Sequence, residues 1–214
     1  MLSQNGGNKM SFVFSLIVSG LIAYCLGSIS TGLLVARFAN GPDLRSVGSK
    51  NTGASNVLRT MGWKYGLITF LGDFLKAVAA CWIGQLMCGS KIGALVCGVM
   101  VILGHNWPVF FQFRGGKGVA SSCGVMLFCF PIPALIGYAV AIFLIAVTRY
   151  ISVGSMSMLT VYAILVSCFY SEGNIWIIAW AFLLALLCIF RHRTNLQRLF
   201  RGQENKIGQK VRSN

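Results

Sequence analysis

The run S-F-V-F-S-L-I-V-S-G-L-I-A-Y-C-L-G-S-I-S-T-G-L-L-V-A, Ser11 to Ala36, carries no charge. As a helix it would extend about 39 Å, more than the ~30 Å hydrocarbon core of a bilayer. A cleaved signal peptide is the rival reading. Its site would fall near I-A-Y-C, where Tyr24 stands in a position that a lipoprotein cleavage site reserves for a small residue. No A-x-A site follows and the apolar run is too long, so the segment reads as a membrane span.

The same pattern recurs along the chain. Further apolar runs cover Tyr65–Cys88, Ile92–Phe113, Val119–Phe130, Ala134–Thr148, a stretch from about Ser155 to Tyr170, and Ile175–Phe190. Of the 214 residues 56% are hydrophobic and only 10% charged, against about 25% charged in soluble domains. The expected fold is an all-α integral membrane protein of about seven transmembrane helices. Eight cysteines lie mostly within the apolar runs without a C-x-x-C pair, and read as small apolar residues.

The charges fix an expected orientation. With the N-terminus outside, alternation places fifteen of the eighteen Lys and Arg residues on the cytoplasmic side. These are five between Arg37 and Lys64, then Arg114 and Lys117, Arg149, and seven from Arg191 onward. The positive-inside rule supports that arrangement, with a cytoplasmic C-terminus. Residues 1–200 then form one polytopic domain and 201–214 a basic cytoplasmic tail, and the default partner of the cations from Arg191 onward is anionic lipid. Nucleic acid is a poor partner for a net charge of +14 distributed over loops between membrane spans.

Two of these loops suit an anion. The first contains V-G-S-K-N-T-G-A-S-N-V-L-R, Val47 to Arg59. Ser49, Asn51 and Asn56 supply hydroxyl and amide donors, Arg45 and Arg59 supply guanidinium forks, and Gly53 lets the backbone approach a ligand. The second is R-G-G-K-G-V-A-S-S, Arg114 to Ser122. Gly115, Gly116 and Gly118 surround Lys117, and an apolar helix begins at Val119, so free N–H groups and a positive dipole end converge there. It lacks the Walker A pattern. His105 lies upstream in G-H-N-W-P, where a structural role is the commoner one for a lone histidine. Asp73 and Lys76 stand at i, i+3 and can pair, either to lock helices or to line the site.

Such a site has many anion donors and hardly any base. No Ser-His-Asp order is evident, and neither His105 nor His192 is followed by an acid at the fifth position. No dense acidic cluster is available to hold Mg²⁺, and no metal or cofactor is called for. A reaction between activated, anionic substrates fits this set best. A transporter of a small organic or inorganic phosphate is the alternative, against which the absence of visible inverted repeats argues mildly.

Together V-G-S-K-N-T-G-A-S-N-V-L-R, G-H-N-W-P-V-F-F-Q-F-R-G-G-K-G-V-A and the tail R-H-R-T-N resemble the bacterial acyl-phosphate:glycerol-3-phosphate acyltransferase family (PlsY type). The resemblance runs from Gly27 to about Arg201. It implies a seven-span enzyme of the bacterial inner membrane, active on the cytoplasmic side. That enzyme would move a fatty acyl group from acyl phosphate to the 1-hydroxyl of glycerol 3-phosphate, giving lysophosphatidic acid and phosphate. Carried over on matching motifs, Ser49, Arg59, Lys117, Ser155, His192 and Asn195 are the implied catalytic residues. In the family such residues hold the phosphate and glycerol groups, and acyl phosphate is thought to help deprotonate the hydroxyl. The departures are Lys50 where the family often has glycine, Thr52 for a common proline, Ser55 for a threonine, and Ser30 in G-S-I-S-T-G where proline is frequent.

Overall fold

The computed structural model describes residues 4–208, and these fold as ten α-helices and one 3-10 turn, with no strand among them. In order they are α1 (Gln4–Ser28), α2 (Thr31–Phe38), α3 (Ala54–Met61), α4 (Trp63–Cys88), α5 (Lys91–Asn106), the 3-10 turn Val109–Phe111, α6 (Val119–Cys129), α7 (Pro131–Thr148), α8 (Ile151–Phe169), α9 (Ile175–Arg191) and α10 (Arg193–Phe200).

Five stretches are long and apolar enough to cross a membrane: Lys9–Phe38, Trp63–Cys88, Lys91–Phe111, Pro131–Thr148 and Ile151–Phe169. A sixth is counted if α9 and α10, bent by 60° at His192, are taken together. Every apolar run read from the sequence is helical over most of its length, though Ile92–Phe113 leaves its α-helix at Asn106. However, α6 has only 11 residues, about 16 Å of helix, and does not reach across a ~30 Å core by itself.

The helices turn large apolar side chains outward and small ones inward. Phe14, Leu75, Trp82, Phe143 and Phe169 are each more than half exposed, the arrangement expected where lipid is the solvent. Inside, glycines let backbones touch. A Cβ on Gly27 would overlap Val101 O, one on Gly104 would overlap Tyr24 O, and Gly84 and Gly93 face each other's carbonyls across α4 and α5. Gly93→Leu should therefore lower stability by about 1–3 kcal/mol, as overpacked cores do. Gly20→Ala, with nothing nearer than Met100 at 3.6 Å, should be close to neutral. Thermal unfolding in detergent compares the two.

The first span is broken between Ser28 and Thr31, a break that its unbroken apolar composition hides. A helix end leaves carbonyls without partners, and here Lys76 supplies them. Its Nζ donates to Gly27 O (3.0 Å) and Ile29 O (2.6 Å). Asp73 balances the charge 2.7 Å away, and its Oδ1 accepts from Thr31 Oγ1 at 2.9 Å. Asp73 and Lys76 thus join α4 to both halves of the broken helix.

The polar loop between the first two long apolar runs contains a helix, α3. α3 is short and amphipathic, with Asn56 and Val57 buried. Val57 packs with Leu44 and Ala36 in a small second core. Residues 201–208 do not extend away as a free tail. Ile207 N–H donates to Arg149 O (2.8 Å), Arg149 Nη2 donates to Ile207 O (2.9 Å), and Glu204 is buried. Lys210 and Arg212 of the expected tail lie outside the described residues.

Candidate active site

One cavity of about 390 Å³ is lined by the loop before α3, the start of α6, the facing sides of α7 and α8, and the α9–α10 bend. Ser49, Arg59, Lys117, Ser155, His192 and Asn195, distant in sequence, all line it. Asn51, Gly53, Asn56, His105 and Gly118 line it as well. Ser55, Asp73, Ser152 and Glu204 add to the polar lining, and Phe70, Val119, Cys123, Tyr138, Ile142, Ile145 and Met158 supply an apolar wall.

The first loop is shaped by its own amides. Asn56 Nδ2 donates to Leu44 O (3.1 Å) and Val47 O (3.2 Å), and its Oδ1 accepts from Ser49 N–H at 2.8 Å. Asn56 is therefore a staple that holds Ser49 in place. Asn51 Oδ1 accepts from Gly53 N–H at 2.9 Å, a local turn that sets up the start of α3. Lys50, where glycine is common, has φ +55°. It adopts the left-handed conformation that glycine reaches without cost and is exposed. Arg45 does not line the cavity, because its guanidinium is engaged by Asp43 at 3.0 Å on the open surface.

The second loop turns at Gly118, φ +77°, directly into α6. A side chain on Gly118 would press on Asn106 Oδ1 at 2.9 Å, so only glycine fits. Gly115 and Gly116 are not in the cavity wall. Gly116 N–H donates to His105 O (3.0 Å), and side chains on either glycine would overlap His105. His105 itself stands beside Asp73 Oδ1 (3.5 Å) and Lys76 Nζ (3.2 Å). It connects the buried charge cluster to the glycine loop.

Lys117 Nζ donates to Asn195 Oδ1. Asn195 Nδ2 donates in turn to Glu204 Oε1 (2.6 Å), which also accepts from Ser152 Oγ (2.9 Å), while Arg198 Nε donates to Oε2 (2.8 Å). Arg59 Nη2 reaches Asn205 O at 3.3 Å, while its buried Nε has no partner. Three cations, Arg59, Lys117 and Arg198, thus surround one carboxylate. Burial pushes Lys117 down to about 8, with Glu204 opposing and Arg198 and Arg59 adding to the fall. Burial raises Glu204, but hydrogen bonds from Asn195, Arg198 and Ser152 outweigh it and hold it below its usual range. Burial also lowers Arg59. The excess positive charge and the free N–H of Arg59 suit an anion.

His192 Nδ1 lies 2.8 Å from Cys188 O, and a carbonyl only accepts, so Nδ1 carries the hydrogen. Nε2 is then the acceptor of the neutral ring. Ser155 Oγ donates to Ile151 O at 2.8 Å, which leaves its lone pairs for a ligand.

Reading the sequence alone missed Arg191, Ser152, Arg198 and Glu204 at this site. Arg191 stands in the R-H-R-T-N motif, but its charge was assigned with the rest of the basic tail to lipid. Its partners lie 75 and 76 positions away, and no local signal connects them.

Residues 17–202 match the family model described as glycerol-3-phosphate acyltransferase. A glycerol-3-phosphate acyltransferase of Thermoanaerobacter sp. (strain X514) is 40% identical over 195 residues, covering 91% of this chain and 97% of that relative. One of Clostridioides difficile (strain 630) is 41% identical over 203 residues, covering 92% and 98%. Among solved structures, an integral membrane glycerol 3-phosphate acyltransferase, PlsY (YgiH), in its glycerol 3-phosphate form superposes with TM-score 0.84 at 36% identity, covering 91% of this chain and 96% of that one. Its lysophosphatidic acid form gives TM-score 0.81 at 34% identity. The match in sequence and in fold along nine-tenths of the chain means that this protein belongs to the glycerol-3-phosphate acyltransferase family.

Proposed function

We propose that this acyltransferase takes a fatty acyl group from acyl phosphate and places it on the 1-hydroxyl of glycerol 3-phosphate. The observation that carries this reading is the cavity itself, cationic at one end and apolar along α6, α7 and α8. The phosphate of glycerol 3-phosphate lies on Arg59, Lys117 and the free N–H groups at the start of α6. Ser49 and Asn195 orient its hydroxyls, and Ser155 and His192 complete the polar wall. The acyl chain follows Tyr138, Ile142, Ile145 and Met158. The hydroxyl oxygen attacks the acyl carbonyl carbon, the bond from that carbon to the phosphate oxygen breaks, and the departing phosphate takes the hydroxyl proton. Positioning and charge neutralisation supply most of the rate, because the donor is already activated. His192 Nε2, an acceptor, adds orientation to this step and needs no role as obligatory base.

In the same reading the chain is one polytopic domain of the bacterial inner membrane, residues 1–200, with 201–214 as its basic cytoplasmic end. It makes seven spans, with the N-terminus outside and the cavity open on the cytoplasmic side. The short α6 counts as the fourth of them and α7 as the fifth, with the break at Phe130 dividing the two. The phosphate transporter alternative has no comparable support, since the relatives are named as acyltransferases. Purified protein in detergent, given acyl phosphate and labelled glycerol 3-phosphate, should yield lysophosphatidic acid. Activity only with an acyl thioester donor, or none with acyl phosphate, would refute the donor assignment.

A pH profile gives a second check. Lys117 holds a phosphate only while protonated, which it is below about pH 8. As pH rises through about 8 the charge is lost, so kcat/KM should fall roughly tenfold per pH unit above it. Lys117→Arg stays charged, and whatever activity it retains should lack that limb.

A further inference from the structure

We infer that Arg191 is the positioning residue of the glycine loop, a role that rests on the proposed use of this loop to hold phosphate. Arg191 ends α9 and does not line the cavity. Its Nε donates to Gly116 O at 3.1 Å, and its Nη2 donates to Gly116 O at 2.6 Å and Gly115 O at 3.2 Å. The guanidinium also lies 5.0 Å from the centre of the Trp107 ring. One side chain therefore grips two successive peptide carbonyls and is itself seated on an aromatic face.

The consequence follows from peptide geometry. In a trans peptide the C=O and the next N–H point in opposite directions. Turning Gly116 O toward Arg191 therefore aims the N–H of Lys117 to the opposite side of the loop. The N–H of Gly116 is already taken by His105 O, and both glycines pack without room against His105. The loop is thus clamped between α5 and α9. Arg191 sets where the Lys117 backbone sits, and through it the reach of Nζ. Glycines 115 and 116 have little conformational preference of their own, so the clamp must come from outside the loop. Lysine cannot replace it fully, because an ammonium lacks the planar fork that spans two carbonyls while stacking on a ring.

Steady-state kinetics on the purified full chain tests this. Arg191→Gln should raise KM for glycerol 3-phosphate or for acyl phosphate at least about fivefold, and Arg191→Lys should recover part of the loss. Inorganic phosphate affinity, measured by calorimetry without turnover, should weaken in parallel. A purely structural role would reduce the amount of active protein and lower kcat alone. Both KM values within fivefold of the wild type would overturn the inference. If Arg191→Gln does not fold, Arg191→Lys is judged for a KM rise of at least twofold. Absence of turnover in the wild type would instead defeat the functional reading, and the calorimetric comparison would still decide the clamp.

Discussion

Lys117→Ala should reduce acyl transfer by at least about a hundredfold, the scale of losing one preorganised electrostatic stabiliser, while the protein stays folded in the membrane. Lys117 has no large structural load, since its Nζ meets only Asn195 and Asn195 keeps its bond to Glu204. Its charge is nevertheless central, because it sits where the glycine turn, the start of α6 and Arg59 converge. Arg59→Ala should act similarly. It removes the buried Nε that lacks a partner, together with one weak contact to Asn205 O. Turnover assays on membranes with matched protein levels measure both. Full activity in the two variants would refute the assignment of this cavity.

The second large effect concerns folding. Asp73 is 1% exposed and stands against Lys76 at 2.7 Å and Thr31 at 2.9 Å. Asp73→Ala leaves a buried ammonium without its carboxylate, and breaking such a pair from one side costs about 3–5 kcal/mol. That is a large share of the 5–15 kcal/mol that typically holds a domain together. The expected outcome is low yield and a much lower unfolding temperature in detergent. Asp73→Asn keeps an acceptor and should be milder. The double change Asp73→Ala with Lys76→Met should be less harmful than Asp73→Ala alone, because it removes the stranded charge. Equal unfolding temperatures for Asp73→Ala and the wild type would show that the cluster does not support the helix break.

The helices were legible in the sequence wherever length and hydropathy decide them. α4 begins two residues before the apolar run Tyr65–Cys88, and α7 begins at Pro131, three residues before the run Ala134–Thr148. The break at Ser28–Thr31 was not legible, because a continuous apolar run carries no sign of a cap supplied by another helix. α3 and α10 were missed for a different reason. Eight polar-rich residues have weak intrinsic helicity, and tertiary packing such as that of Val57 on Leu44 decides them. At the site, motif residues were readable one by one because each loop has its own chemistry. Arg45 carries a visible charge, but Asp43, two residues away, holds it on the open surface. Arg191 and Glu204 were visible only as charges, since their roles depend on partners that folding alone brings near.

The dependence of the glycine loop on α9 and on Glu204 also bears on biosynthesis. A ribosome has delivered both phosphate-suited loops, the apolar walls and Lys117 well before residues 191–204 emerge. Until those last pieces leave the exit tunnel, Gly115 and Gly116 have no brace, and Asn195 is not there to meet Lys117. A nascent or prematurely terminated polypeptide therefore holds most of the cavity but cannot use it, and catalytic competence arrives late and in one step.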